Sequence, residues 1–366
     1  MPTWTLLRYS VFAISLACVT VGSAATNVSR PLIMVRDGNV WQYSGRTKSD
    51  RPQRLTSWAH NWGPSLSPNA RFMAYGSDAR RAVETCEERD DCGGIDLPSN
   101  IWLRDLNTNR SSRIAGQPKG DPIKQGIQRS RPTWSPDGAS IAWTEIQGSS
   151  YRRSIYRLAV YSLASGSTTF RRLYVPLPGS GDEDESDVFV PDPIVWGEVG
   201  IVLPVSNQPG GSRYATALLL EPNGIFRRLQ FPHEIAGWLV FARDNGRTVL
   251  AGHDADFLLD PITGTSIDLN GKLESFVPGA VDGLSVVASK GDCELYRAGN
   301  PVKSLPNSND KLFGCDTAIA PDGSSVAYSQ DDALTVDDGR VARKVISAKD
   351  YVAVWDWGQL EYRIKR

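Results

Sequence analysis

The stretch RPTWSPDGASIAWTE (131–145) contains the feature that most limits the fold of this chain, a tight turn between two β-prone segments. Pro136 favours the first corner of a type I turn, Asp137 can accept hydrogen bonds from nearby amides, and Gly138 tolerates the positive φ that reverses the chain. The flanking segments PTWS and IAWT are rich in aromatic and β-branched residues, which favour strands. The stretch is therefore predicted to be a β-hairpin.

The same hairpin pattern recurs along the chain. Two good copies are GPSLSPNARFMAYGSD (63–78) and DTAIAPDGSSVAYSQDD (316–332). Weaker copies are PIVWGEVGIVLP (193–204), VFARDNGRTVLAGHD (240–254), VPGAVDGLSVVAS (277–289) and the trace VAVWDWGQLEY (352–362). After several copies come a third strand and a basic, apolar fourth strand, which gives a repeat of about 40–45 residues, the length of one propeller blade. Four-stranded blades bury their faces by packing against one another around a channel.

Particular residues of the repeat carry a family resemblance. Ser-Pro-Asp-Gly before Ile-Ala-Trp, then Ile-Trp-Leu-Arg-Asp-Leu and a fourth strand with Arg-Arg-Leu, resemble the WD-like propeller repeat of the TolB family. The resemblance extends over most of the chain after residue 30 and implies an all-β propeller. The chain departs from TolB in having no room for the separate domain that TolB places before its propeller, so the partner contacts of that domain are not implied here.

The two ends of the chain are expected to complete one blade together. Segment 31–56 has the later strands of a blade without an inner hairpin, and segment 352–362 has an inner strand without its later partners. With six further blades beginning near residues 64, 132, 193, 236, 275 and 316, the prediction is seven four-stranded blades in a ring closed by the N- and C-terminal strands. Six or eight blades are the alternatives, because the copies at 193 and 277 are degenerate. Residues 26–366 are thus predicted to form a single propeller domain, and a composition with 33 Gly, 23 Pro and 11 Trp suits many short strands.

The N-terminal residues 1–25 have the layout of a secretory signal peptide. Arg8 precedes an apolar run of about 15 residues, which ends in the small residues Ser23, Ala24 and Ala25. That run is too short to span a bilayer comfortably. We therefore expect a periplasmic or secreted protein with no transmembrane segment after cleavage. The alternative is a lipoprotein anchored through Cys18, although Ser15 occupies the position where the lipoprotein box has Leu.

Four cysteines follow the predicted leader. Cys86, Cys92, Cys293 and Cys315 are an even number in an oxidising compartment, where disulfides are expected. Cys86 and Cys92 are predicted to close a small loop, and Cys293 and Cys315 to join neighbouring blades. Metal binding by these thiols is the alternative, but there is no Cys-x-x-Cys spacing.

The candidate binding residues lie in loops that a propeller of this connectivity places on one face, around the channel mouth. They are His60, Asn61, Trp62, Asp182, Glu183, Asp184, Glu185, His233, Glu234, His253 and Asp254. The acidic residues of the predicted disulfide loop, Glu87, Glu88, Asp90 and Asp91, should lie on the same rim. The alternative interpretation of the histidines and of the acidic run is that they are solvated loop residues.

Two chemistries follow from these residues. His60, His233 and His253 are the only histidines, and together with an acidic side chain they would suit a divalent-metal site in a lyase similar to the oligogalacturonate-degrading propellers. The acidic run would instead suit docking of a basic protein or of a divalent cation. No cofactor and no specific metal site are predicted.

Other functions are disfavoured by the sequence. There is no Gly-x-Ser-x-Gly elbow and no phosphate-binding glycine loop. The formal net charge of −1 gives no general basic field for nucleic acid. The leading prediction is a monomeric, exported, non-enzymatic module that binds a protein or peptide of the cell envelope. The alternatives are a polysaccharide lyase or hydrolase and a structural or sensory secreted propeller.

Overall fold

The computed structural model describes most of the chain from residue 30 onwards. The described residues are 30–44, 50–89, 97–147, 155–173, 194–206, 213–236, 239–244, 247–252, 257–268, 275–278, 284–289, 292–297, 300–305, 317–320, 324–330, 333–347, 352–356 and 362–365. Within these ranges the chain is nearly all β, with one α-helix. No helix of the described part is both long enough and apolar enough to cross a membrane.

The elements follow one another in short succession. The first strands are β1 (Leu32–Arg36), β2 (Asn39–Tyr43), β3 (Gln53–Arg54), β4 (Asn61–Leu66), β5 (Phe72–Asp78), β6 (Ser99–Asp105) and β7 (Arg110–Ala115), with helix α1 (Arg80–Arg89) between β5 and β6. The next are β8 (Ile127–Arg129), β9 (Thr133–Trp134), β10 (Ser140–Gln147), β11 (Ile155–Ser162), β12 (Ser167–Leu173), β13 (Val195–Gly197), β14 (Gly200–Ser206), β15 (Arg213–Leu220) and β16 (Phe226–Ala236).

The remaining strands occupy the C-terminal part. They are β17 (Leu239–Asp244), β18 (Arg247–Gly252), β19 (Phe257–Leu259), β20 (Ser266–Asp268), β21 (Ser275–Pro278), β22 (Leu284–Ser289), β23 (Asp292–Arg297), β24 (Asn300–Leu305), β25 (Thr317–Ile319), β26 (Val326–Gln330), β27 (Ala333–Asp337), β28 (Ala342–Ser347), β29 (Val352–Asp356) and β30 (Tyr362–Lys365).

In the described part, these strands form seven separate sheets, named A to G here. Sheet A has the order β29-β1-β2-β3, sheet B β4-β5-β6-β7, sheet C β12-β11-β10-β8 with β9 also on β10, and sheet D β13-β14-β15-β16. Sheet E has the order β20-β19-β18-β17-β30-β21, sheet F β22-β23-β24, and sheet G β25-β26-β27-β28. Most neighbouring strands are consecutive and antiparallel, as in the up-and-down blades of a β-propeller.

The predicted hairpin at 131–145 is confirmed, and its turn has the expected chemistry. Trp134 pairs with Ile141 across the hairpin. The Asp137 carboxylate accepts hydrogen bonds from the Ser135 hydroxyl at 2.6 Å and from the Ala139 N–H at 2.9 Å. Gly138 adopts φ +69°, which an L side chain adopts only at a cost.

The copy at 63–78 builds the same corner with different residues. Asn69 takes the place of Asp137 and accepts from the Ser67 hydroxyl at 2.7 Å and from the Arg71 N–H at 3.0 Å. Ala70 takes the place of Gly138 and still adopts φ +54°. The turn geometry is therefore imposed by the hydrogen bonds of the corner, even where a Cβ makes it unfavourable. In the third copy, the turn residues 321–323 lie outside the described residues.

The apolar core lies in seams between successive sheets. Between sheets B and C, the fully buried Trp134, Ile141 and Trp143 pack with Ala74 and Ile101. Similar clusters of described residues join A to B, C to D, D to E, F to G and G to A. Each Ile or Leu that such a seam buries contributes about 1.5–3 kcal/mol, so neighbouring sheets stabilise one another.

Sheets E and F differ from the predicted pattern. The copy at 277–289 was expected to be a hairpin, but β21 pairs with β30 rather than with β22. β30 in turn runs parallel to β17, so sheet E has six strands and sheet F three. This copy lacks the Pro of the strong turns, and without that constraint a neighbouring strand can take its place. The expected pairing of the two chain ends is found in sheet A, where β29 lies antiparallel to β1. The count of seven four-stranded blades and the closure of the ring stay predictions.

Candidate functional site

The predicted residues His60, Asn61 and Trp62 lie where sheet A meets sheet B. His60 directly precedes β4, and the other two begin it. Asn61 is buried, and its amide donates to the Gly38 carbonyl at 3.0 Å and to the Thr56 hydroxyl at 3.1 Å. Asn61 is therefore a structural residue, which fixes the loop before β4 against the β1–β2 turn.

That turn requires glycine for two reasons. Gly38 adopts φ +66°, and a Cβ there would lie 2.0 Å from the Ala59 carbonyl oxygen. The main-chain N–H of Asn61 also donates to the Gly38 carbonyl at 2.9 Å. The turn of sheet A and the loop before sheet B are thus in direct backbone contact, which leaves this loop little freedom.

Asp78, at the end of β5, holds three ring side chains in place. Its Oδ1 accepts a hydrogen bond from Trp62 Nε1 at 2.9 Å, and its Oδ2 lies 3.7 Å from Nδ1 of His60. Its main-chain carbonyl accepts from Trp58 Nε1 at 3.2 Å. The His60 carbonyl accepts from the Asp78 N–H at 2.9 Å. One residue therefore orients Trp58, His60 and Trp62 on the same edge of sheet B.

Helix α1 adds a cation to this group. The guanidinium carbon of Arg80, the first residue of α1, lies 4.7 Å from the centre of the Trp58 ring. The rings of Trp58 and His60 have their centres 4.6 Å apart and are tilted by 35°. We call these five residues, Trp58, His60, Trp62, Asp78 and Arg80, the Trp58 cluster.

The Trp58 cluster is open to solvent. The side chain of His60 is 35% exposed and that of Asp78 is 22% exposed. Both tryptophans are half-buried, and Arg80 is exposed. The cluster presents aromatic surface together with nitrogen donors, which suits binding of a ligand more than burial in a core.

A second cluster of charged residues crosses sheet C. Arg129 on β8 and Arg157 on β11 both pair with Glu145 on β10 in the strand register. Glu145 Oε1 lies 2.8 Å from Arg129 Nε, and Oε2 lies 2.9 Å from Arg157 Nη2. Glu145 also accepts from Trp143 Nε1 at 3.1 Å.

This Glu145 cluster is buried and ties sheet C to sheet B. The side chains of Arg129 and Glu145 are only 3% and 2% exposed. Arg129 donates further to the carbonyls of Ser99 and Gly116, which lie at the ends of strands of sheet B. Burial lowers the pKa of Arg129 from its usual value, and the charge of Glu145 opposes that shift. The geometry is that of a buried ion pair whose groups are hydrogen-bonded on several sides.

The sequence pattern did not single out Trp58, Asp78, Arg80 or the Glu145 cluster. Asp78 could have been found from the hairpin register, because Asn61 pairs with Ser77 and this puts Asp78 beside His60. Glu145 could have been found as a carboxylate within the otherwise uncharged run SIAWTEI. A charge in a buried strand implies a partner on a neighbouring strand.

The other predicted site residues have side chains outside the part of the chain that the structure describes. His233 and Glu234 lie in the last part of β16, just before sheet E begins, and their side chains are outside the description. His253, Asp254 and the acidic residues Asp182, Glu183, Asp184 and Glu185 lie outside the described residues. In the part that is described, no group of three or more His, Cys, Asp and Glu side chains is placed to hold a metal ion.

The described residues include two of the four predicted disulfide cysteines. Cys86 is buried in α1 and is one half of a disulfide. Cys293 lies in β23, whereas Cys92 and Cys315 are outside the described residues. Both predicted pairings stay predictions.

Three solved structures illustrate what the chain is similar to. The β-propeller domain of the trilobed protease from Pyrococcus furiosus matches with a TM-score of 0.45 and 11% identity, over 85% of this chain and 88% of that one. The periplasmic gluconolactonase of Pseudomonas aeruginosa matches with a TM-score of 0.48 and 12% identity, over 91% and 99%. Pyrococcus horikoshii acylaminoacyl peptidase matches with a TM-score of 0.45 and 11% identity, over 84% and 48%, so the chain spans about half the length of that peptidase.

No protein-family model matches the chain, and no curated protein matches it. Membership of the TolB family therefore stays a prediction. The similarities to solved structures are too distant to transfer the activities of those proteins to this chain.

Proposed function

We propose that the chain is an exported, non-enzymatic propeller that binds a protein or peptide of the cell envelope. The observation that supports this proposal is the Trp58 cluster, which lies where the sequence predicts a binding rim. Tryptophan and arginine are the side chains most enriched among residues that dominate protein interfaces. Here Trp58, Trp62 and Arg80 lie together on one solvent-open edge.

The cluster is also held rigidly, which favours affinity. Trp58 and Trp62 both donate their indole N–H groups to Asp78, and the loop before β4 is fixed to the β1–β2 turn by Asn61. Side chains that are already ordered lose less conformational entropy on binding. A partner would therefore meet a preformed surface.

The proposal also covers export, ring closure and the disulfides. It includes export through the leader of residues 1–25, and closure of the sheets into a ring in which β29 and β1 share sheet A. It also includes the disulfides Cys86–Cys92 and Cys293–Cys315. In this proposal the propeller acts as a monomer and without a cofactor.

A capture experiment tests the proposal. The mature chain, residues 26–366, is used as bait in a detergent-solubilised envelope extract and compared with Trp58→Ala and with Phe170→Ala. Phe170 is a matched control, because it is an aromatic side chain that is 52% exposed on β12, away from the cluster. We expect a protein that is enriched by the native chain and by Phe170→Ala and lost with Trp58→Ala.

A third variant separates the two candidate surfaces of the rim. In this variant Asp182, Glu183, Asp184 and Glu185 are replaced by Lys. Loss of the partner with this variant alone would locate binding at the acidic run rather than at the Trp58 cluster. Failure of the native chain to enrich any protein would contradict the binding proposal itself.

A further inference from the structure

Arg80 carries a charge that no described residue neutralises. Its guanidinium lies over the Trp58 ring, with 4.7 Å between the guanidinium carbon and the ring centre. Among the described residues it makes no hydrogen bond and no ion pair, and the first turn of α1 contains no acidic residue. An arginine has five N–H donors in one plane, and none of those of Arg80 has a partner among the described residues.

The stacking on Trp58 determines what Arg80 can recognise. A guanidinium that lies against an aromatic ring keeps its plane fixed, and its donors then point outward along the edges of that plane. Two parallel N–H groups match the two oxygens of a carboxylate. The geometry is therefore suited to a planar anion rather than to a neutral hydroxyl or amide.

His60 places a second nitrogen beside the same ring. Its Nδ1 faces Asp78 at 3.7 Å, and Nε2 is the other ring nitrogen that a ligand can contact. The Asp78 carboxylate already accepts from Trp62 at 2.9 Å. Asp78 thus acts as a positioning residue for His60, while Arg80 stays the unmatched cation of the cluster.

The rest of α1 limits the size of the anion. Glu84, Glu87 and Glu88 follow Arg80 on the same helix and are exposed. With three Glu and three Arg, α1 has no net positive charge that would attract an extended anionic surface such as a membrane or a nucleic acid. A single carboxylate needs only the one cation Arg80, and apolar groups next to it would gain contact with the half-buried Trp58 and Trp62.

We propose that the Trp58 cluster recognises one isolated carboxylate, flanked by apolar side chains, on a peptide segment of the partner. Arg80 is the residue that determines this specificity. The inference rests on the proposed function and narrows it to one ligand chemistry.

The test uses defined peptides and the mature chain, residues 26–366. The probe is a fluorescent peptide with blocked ends, Leu-Ala-Glu-Ala-Leu, compared with the same peptide carrying Gln in place of Glu, and binding is followed by anisotropy. We expect the Glu peptide to bind about tenfold more tightly than the Gln peptide, as one charge-assisted contact provides. In Arg80→Gln this preference should disappear, and in Arg80→Lys it should fall because a lysine does not stack as a planar group.

Arg110→Gln is the matched control, because Arg110 is an exposed arginine on the outermost strand of the same sheet. It should keep the preference for the Glu peptide. Equal affinity for the two peptides, or equal losses in Arg80→Gln and Arg110→Gln, would overturn the inference. If the envelope partner is lost with Trp58→Ala but retained with Arg80→Gln, the carboxylate inference fails while the binding function stands.

Discussion

Sheets B and C each place a carboxylate near the end of the strand that follows the corner, and they use it in opposite ways. Asp78 ends β5 and accepts an indole N–H from Trp62 at 2.9 Å. Glu145 lies on β10, at the position that Ser77 occupies in sheet B, and accepts an indole N–H from Trp143 at 3.1 Å. Glu145 is 2% exposed and is matched by two arginines, whereas Asp78 is 22% exposed and faces a histidine.

The difference indicates which cluster is structural and which is available to a ligand. Every oxygen of Glu145 is bound within the protein, so its bonds hold sheet C to its neighbour and leave nothing for a partner. In the Trp58 cluster the arginine stacks on an indole instead of pairing with the acid. A partner can therefore accept hydrogen bonds from the N–H groups of that arginine.

The largest effect on stability is expected when the Glu145 cluster is disrupted. Glu145→Ala leaves the buried charge of Arg129 without its partner, which should lower the free energy of unfolding by about 3–5 kcal/mol. Urea unfolding followed by tryptophan fluorescence measures this loss. Arg129→Met should also destabilise, and the double variant Arg129→Met/Glu145→Ala should lose less than the sum of the two single variants. Additive losses would show that the two residues do not act as a pair.

A smaller effect is expected at the corners of the same two sheets. Gly138→Ala should destabilise by about 1–2 kcal/mol because a Cβ is unfavourable at φ +69°. Pro68 of the neighbouring corner would also lie 3.2 Å from that Cβ. Ala70→Gly should stabilise by up to about 1 kcal/mol, because the residue already adopts φ +54°. Thermal unfolding of both variants measures these changes in stability. If both variants are stabilised, or both destabilised, the two corners are not equivalent.

The Trp58 cluster should contribute little to the free energy of unfolding. Asp78→Asn keeps an oxygen for Trp62 and removes only a partly exposed charge, so the loss should be below about 1 kcal/mol. Its matched comparison is Glu145→Gln, measured in the same urea series, which should cost more. If Asp78→Asn destabilises as much as Glu145→Gln, the distinction between a buried structural cluster around Glu145 and a solvent-open Trp58 cluster is wrong.

The smallest effect is a pH dependence of stability, which the corner of sheet C should show and the corner of sheet B should not. Hydrogen bonds from Ser135 and then from Ala139 hold the pKa of Asp137 below its usual value. A carboxyl whose pKa is lower in the folded state stabilises the fold above its unfolded pKa, and this contribution is lost as the pH falls through the folded value. Stability near and below about pH 4 should therefore depend less on pH in Asp137→Asn than in the native chain. Asn69 fills this position in sheet B, so Asn69→Asp should add such a pH dependence. If the pH dependence of stability is unchanged in both variants, the assignment is contradicted.

The corners could be predicted from the sequence because their chemistry is local. Pro136, Asp137 and Gly138 determine the turn within a few residues, and the alternation around them places Trp134 and Trp143 in the core. The sequence pattern of one segment does not predict that β21 pairs with β30, because this pairing depends on competition between strands far apart in sequence. The same limit applies to the Trp58 cluster, where His60 and Trp62 were found but their common partner Asp78 and the stacked Arg80 come from another strand and from α1.

Sheet A has a consequence for how the chain reaches its native state. Its strands β1, β2 and β3 are synthesised before any of the strands β4–β28, whereas β29, which covers the free edge of β1, is synthesised after all of them. Contacts of such long sequence separation form late and slow folding. Until β29 arrives, β1 exposes an unpaired edge that another chain can occupy. Loss of β29 would therefore expose the edge of β1 in sheet A, and misassembly is expected to begin at that edge.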